Sequence, residues 1–410
     1  MFSTEPGAEF QKLWAATALS NLGDGIILVA TPLLAAALTQ DPAMVAGVSF
    51  ARHLPWLVFP LASGVLADRF DRRRAMALAA CSRSLLVGAL ASAVVFHAGG
   101  LPLLYAAVFL LSTAETLFDI SGVTLVPAVV APDRLPRAYA RLAGARTVAN
   151  LFVGPPLGGF CFGLAPTAPF LVGSVCLLLA GGLLVQLRGV PHVPVKRSGN
   201  VTAEITEGVR WLWQHPLLRT ISVTLAPLNV TLVAQNSIIV LLAQQRLGLD
   251  AAGFGVLVSV YGAGGIVGSL VADRLIGWLG ASRGLRLAIV IETAYPALFV
   301  LSSSAVQAGA VFALFGFHAV VFGALTSALQ QQLTPPALRG RVESAARLFE
   351  HGSTAPGALL GGAVAASFGL AAPFWLGTVT GGVLIPLTWR AFSAGGVAAA
   401  RRDTLAPPTA

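Results

Sequence analysis

Twelve apolar runs, each long enough to cross a lipid bilayer and most joined by connections of only a few residues, leave this chain few folds to choose from. They fall near 13–38, 43–67, 76–97, 101–127, 141–163, 167–187, 218–245, 252–276, 285–304, 306–330, 345–369 and 373–392, with Gly, Pro, Ser and Asp gathered in the turns. Crossing ~30 Å of hydrocarbon as a helix takes about 20 apolar residues. A soluble domain carries roughly 25% charged residues, whereas only 10% of these 410 residues are charged and 56% are hydrophobic. The fold class expected is an all-α integral membrane protein with twelve transmembrane helices.

The net charge of +9 does not point to a nucleic-acid partner, because the arginines are spread over short loops rather than one face. Their distribution sets orientation instead. The loops after spans 2, 4, 6, 8 and 10 hold Arg69, Arg72, Arg73 and Arg74; Arg134, Arg137 and Arg141; Arg188, Lys196, Arg197, Arg210 and Arg219; Arg274, Arg283 and Arg286; and Arg339 and Arg341. The alternate loops hold a single lysine or arginine, Arg246. Basic loops stay on the cytoplasmic side, so both termini are expected there, in a multi-pass protein of the cell (plasma or inner) membrane. Residues 1–12 carry Glu5 and Glu9 and lack a basic n-region, so the first run is expected to remain as a span. Cys81, Cys161 and Cys176 lie inside apolar runs without a C-x-x-C pair and read as small buried hydrophobes; no metal is expected.

The longest polar interruption divides the chain into a six-helix bundle at 1–187, a cytoplasmic linker at 188–217, a second bundle at 218–392 and a cytoplasmic tail at 393–410. Within the linker, Ile205, Val209, Leu212 and Trp213 recur at helical spacing, which suits a short amphipathic helix on the membrane surface or a plain tethering helix. The halves echo one another. Leu66-Ala67-Asp68-Arg69 closes span 2 and Val271-Ala272-Asp273-Arg274 closes span 8; Arg146 precedes Pro155 by the spacing at which Arg347 precedes Pro356. Parallel six-helix repeats place a binding site near the bilayer midplane between the halves.

Ionisable groups inside the bilayer cost about 2.5–3.5 kcal/mol each on insertion scales, so each calls for a reason. In span 1, Asn21 and Asp24 join Thr17, Ser20 and Thr31 on one narrow face, and Asp24 lies near mid-membrane. That stripe suits either a proton or substrate site or a polar packing seam. Glu115 and Asp119 in span 4 are one turn apart and share a face. Two carboxylates so placed repel when both are charged, which suits proton exchange, although pairing with arginine is the structural alternative. Arg83, Arg146, and Arg52 with His53 are the candidate counter-charges, Arg83 being the deepest. Glu292, His318, Glu350 and His351 are the exceptions in a less charged second half, where His318 reads as a packing residue and Asn229, Gln235 and Asn236 give span 7 a neutral polar face. Glycines in Gly154-Pro155-Pro156-Leu157-Gly158-Gly159 and at Gly262, Gly264, Gly265 and Gly268 imply close packing of spans 5 and 8, with a proline kink in span 5.

These motifs resemble the major facilitator superfamily over essentially the whole chain, and more narrowly its enterobactin-exporter and macrolide-efflux branch of drug:proton antiporters. The residues that carry the resemblance are Ser20-Asn21-Leu22-Gly23-Asp24-Gly25, the turn at 64–74 (Gly64-Val65-Leu66-Ala67-Asp68-Arg69-Phe70-Asp71-Arg72-Arg73-Arg74), Leu117-Phe118-Asp119, the Glu207–Arg219 segment and Leu338-Arg339-Gly340-Arg341-Val342. The resemblance implies two pseudo-symmetric six-helix bundles. It implies that Gly64 lets span 2 pack on span 11, and that Asp68, Arg69, Arg72 and Arg73 form a cytoplasmic gating cluster. Gly154, Pro155, Gly158 and Gly159 would be the antiporter motif. Asp71 stands where the broad superfamily has Gly, and Asn150 where the antiporter motif has an earlier Gly.

The function expected is secondary active export of small lipophilic molecules of drug, antibiotic or siderophore type, in exchange for protons. Asn21, Asp24, Glu115, Asp119, Arg83 and Arg146 would be the proton and substrate residues. Neither a catalytic site nor a cofactor other than the proton gradient is expected, and the glycines of span 8 lack the Lys-Ser/Thr of a phosphate loop. The partners expected are substrate, protons and the bilayer, for a monomer. The alternatives are a proton-coupled nutrient importer, a lipid flippase and a non-transporting sensor.

Overall fold

The computed structural model describes residues 7–58, 71–187, 201–335 and 338–405, and all regular secondary structure among them is helical. In chain order the helices are α1 (Ala8–Leu38), α2 (Pro42–Val58), α3 (Arg72–Val95), α4 (Leu101–Val129), α5 (Leu135–Arg146), α6 (Gly154–Leu164), α7 (Ala168–Val185) and α8 (Val201–Gln214). They continue as α9 (Pro216–Gln245), α10 (Ala251–Leu301), α11 (Ala305–Leu333), α12 (Arg339–Gly352), α13 (Thr354–Phe368), α14 (Ala372–Thr388) and α15 (Ala394–Leu405). A π-helical segment, Thr147–Val153, joins α5 to α6.

Local chemistry sets the ends of these helices. Asp41 accepts the Ala43 amide at 2.8 Å and Pro42 fills the first position of α2, where its missing N–H costs nothing. Asp71 caps α3 by accepting the amides of Arg73 and Arg74. The residue that departs from the superfamily's usual glycine thus starts a helix. Ser304 does the same for α11 through the Gln307 amide.

Among the described residues, eight helical stretches are long and apolar enough to cross a membrane, or nine if α13 and α14, bent by 116°, count as one. The twelve predicted runs are distributed differently for identifiable reasons. The described part of run 2 stops after the 17 residues of α2. Runs 8 and 9 lie in α10, which is two helices joined at a kink and not one straight rod. Its path breaks at Gly280 (φ 71, ψ 163), a conformation that a residue without Cβ adopts freely. Run 11 is divided between α12 and α13 around Ser353. Large apolar side chains such as Leu85, Leu270, Val306 and Phe368 stand more than two-thirds exposed, as lipid-facing surface does and soluble surface rarely does.

The described chain forms two compact units. One comprises Met1–Gln40, Gly47–Arg197 and Ala243–Gly262; the other comprises Asp41–Ala46, Ser198–Leu242 and Ala263–Ala410. Phe10, Leu13, Met76, Phe118, Leu125 and Leu184 sit at the core of the first. Leu217, Leu218, Leu285, Leu325, Leu329 and Phe392 sit at the core of the second. The linker helix α8 packs on α12 within the second unit. Gly208 lies so close to the Arg341 carbonyl that a Cβ would collide with it, and Arg341 is paired with Glu207. Leu212 is buried, but Trp213, expected on the apolar face, is 45% exposed; Trp211 packs against the core instead.

Candidate functional site

Three carboxylates inside the first unit each meet an arginine. Asp24, on α1, is hydrogen-bonded and ion-paired with Arg83 of α3, and Arg83 is only 2% exposed. The same guanidinium donates from Nη1 to Ser20 Oγ at 3.2 Å and lies 6.0 Å from the Phe118 ring centroid, while its buried Nε has no acceptor. Glu115 of α4 has Arg52 of α2 at 3.8 Å. Asp119, one turn further along α4, accepts from Arg146 Nη2 at 2.9 Å. The two acids of α4 thus serve different arginines, in a pairing that spacing along the chain left open. Burial raises the stakes for Asp24 and Arg83, since either alone is an uncompensated charge in a low-dielectric interior, whereas Arg146 is 55% exposed.

The polar stripe of α1 is built as its periodicity suggests. Ser20, Asn21, Asp24 and Thr31 are buried. Asn21 donates to the Thr17 carbonyl at 2.8 Å and accepts from Asn150 at 3.4 Å. Around these groups lies a small pocket lined by Asp24, Thr31, Arg52, Arg83, Ser112 and Glu115, with a volume near 20 Å³. That holds about one water molecule, so it suits a proton and not an organic substrate.

Gly154, Pro155, Gly158 and Gly159 divide their contacts. A Cβ at Gly154 or Gly158 would strike the backbone of Gly25 or Ile26 on α1, whereas one at Gly159 would strike residues 251–255 of α10. The close packing expected against span 8 therefore involves Gly159, while its neighbours serve α1. Two consecutive prolines explain the π-helical segment before them. Pro155 and Pro156 cannot donate to the carbonyls of Leu151 and Phe152, and their rings crowd those carbonyls, so the turn widens. Ser259 Oγ donates to the freed Phe152 carbonyl at 2.6 Å, and Gly262 lies against that of Leu151.

Of the gating residues, Arg73 donates to the Leu187 carbonyl and Arg72 lies in the first turn of α3; Gly64, Asp68 and Arg69 lie outside the described residues. In the second unit, a cavity of about 300 Å³ is lined in part by Ser222, Asn229, Glu292, Phe315, Phe322 and Gln330. His318, read from sequence as a packing residue, has Nε2 3.4 Å from the Glu292 carboxylate. Each residue stands alone in an apolar run, and only the approach of α10 to α11 makes them a pair.

This helical arrangement is shared with solved transporters. The crystal structure of a bacterial homologue of the iron transporter ferroportin, in an inward-facing state, matches with a TM-score of 0.75 over 94% of this chain and 98% of that one; at 16% identity the likeness concerns the fold. In sequence, the chain is 26% identical to the multidrug efflux pump Tap of Mycolicibacterium fortuitum, covering 91% of this chain and 93% of Tap. It is also 26% identical to the multi-drug resistance efflux pump PmrA of Streptococcus pneumoniae, over 76% and 77% of the two chains. The description of one family, the transmembrane secretion effectors, fits residues 6–387. With a match over nearly its whole length, helices to span a membrane many times and acids buried among them, the chain belongs to the transmembrane secretion effector family of major facilitator transporters.

Proposed function

We propose that this protein exports small lipophilic molecules across the cell membrane in exchange for protons, by alternating access, with both termini in the cytoplasm. The observation that carries the proposal is the set of three carboxylate–arginine pairs inside the apolar first unit, Asp24–Arg83, Glu115–Arg52 and Asp119–Arg146. A proton arriving at one of these carboxylates cancels its charge and releases the arginine held to it. The cost of burying the remaining charge then favours a different arrangement of the helices. Proton release on the cytoplasmic side restores the pair as substrate binds. Export rather than uptake is supported by the relatives named efflux pumps and by the glycine–proline segment at Gly154–Gly159. The arginine-rich turn around Arg72 and Arg73, with Gly64, Asp68 and Arg69, acts as a cytoplasmic latch.

Inverted vesicles with an acidic lumen and a trapped pH indicator test this directly. Addition of lipophilic cations, macrolides or siderophores is expected to raise the lumenal pH while the transported compound accumulates inside, and Asp24→Asn is expected to abolish both signals. Vesicles in which none of these compounds moves, or moves without protons, would overturn the proposal.

A further inference from the structure

The cavity of the second unit differs from the charged pocket of the first in a way that specifies a ligand. Among the described residues that line its ~300 Å³ there is no arginine or lysine, yet two carboxylates are present, the half-buried Glu292 and the exposed Glu343, which accepts from Gln330 at 3.3 Å. That volume lies at the lower end of those that hold organic ligands. The Glu292 side chain is 14% exposed, and His318 Nε2 stands 3.4 Å from it without making a hydrogen bond. His318 is fixed where it is, stacked on Phe322 at 5.6 Å and close to Phe315 at 5.9 Å. Gln235, 1% exposed, lines the adjoining cleft with Glu292, and its Oε1 has no hydrogen-bond donor. A histidine is charged only when protonated, so His318 compensates this carboxylate in part, where the acids of the first unit have arginines.

We propose that this cavity binds a lipophilic monocation, whose ammonium or phosphonium charge is met by Glu292 and whose apolar body lies against Phe315, Phe322 and Leu225. Asn229 supplies a neutral polar contact beside the charge. Aromatic faces add to the attraction for a desolvated cation. Glu292 is then a specificity-determining residue: it selects charge, and the pairs of the first unit are left to the proton. The inference gives a substrate class to the export reading and rests on that reading for its role in transport.

Binding to the purified full-length protein in detergent, with no gradient, separates the two. Tetraphenylphosphonium is the cationic probe and triphenylphosphine oxide the neutral one, both followed by tryptophan fluorescence. Wild type is expected to bind both, and Glu292→Gln to weaken the cation by about tenfold or more, as loss of a buried charge partner does, while the neutral probe is unaffected. Asn229→Asp adds a further carboxylate to the lining that Glu292 and Glu343 already share and is expected to tighten the cation several-fold; it keeps the test decisive if Glu292→Gln folds poorly. Equal cation affinity in wild type and Glu292→Gln, no cation binding by wild type, or no gain in Asn229→Asp would overturn the proposal. Cation binding that depends on Glu292 without proton-coupled movement in vesicles leaves this site standing and removes the exchange mechanism. Proton-coupled export by a protein whose cation affinity ignores Glu292 does the reverse.

Discussion

The two compact units solve the problem of buried charge in opposite ways. In the first, every acid discussed is tied to an arginine, and the space around Asp24 and Glu115 holds about one water molecule. In the second, Glu292 faces a cavity fifteen times larger by volume, 300 against 20 Å³, and its neighbour is a histidine, which carries charge only when protonated. Tied acids fix structure and respond to a proton. A loosely held acid in a roomy, aromatic cavity responds to a ligand.

This contrast can be broken most sharply at Asp24. Asp24→Ala leaves Arg83 buried with no carboxylate, which should cost about 3–5 kcal/mol and appear as a large fall in the thermal unfolding temperature in detergent. If the loss is electrostatic, pairing Asp24→Leu with Arg83→Met should recover most of that stability; a double variant as unstable as the single one would mean that packing, not charge, is at stake. Asp119→Asn should cost far less, about 1 kcal/mol or below, since Arg146 is 55% exposed and can turn to solvent. Smallest of all should be the stability change in Glu292→Gln, about 0.6 kcal/mol or less, the average for a polar contact between membrane helices. A Glu292 variant that unfolds like Asp24→Ala would erase the distinction between the units.

How much of this was readable from residues alone depended on the range of the interaction. Apolar runs are local, and they marked most of the helices; the family was foretold by short motifs such as those at 20–25 and 117–119, which are local too. The break inside α10 was expected as a loop, because Arg274, Arg283 and Arg286 interrupt the run, although only backbone geometry shows that Gly280 alone carries the turn. The pairing of acids with arginines depends on which helices touch, so spacing could name the six residues but not match them. Trp211 and Trp213 lie on different faces of α8, and the buried one is decided by the surface of the core cluster that the helix meets. His318 gave no signal, since a single histidine among phenylalanines has meaning only once α10 brings Glu292 alongside.

The hydrogen bond from Ser259 to the Phe152 carbonyl has a consequence for how this sequence can drift. That carbonyl lacks its helical donor because position 156 is proline. While Pro156 stays, Ser259→Ala strands a polar atom; after Pro156→Ala restores an amide, the same change at 259 becomes silent. The two positions, more than a hundred residues apart, therefore form an ordered pair of steps, and a lineage can shed the serine only after it has shed the proline.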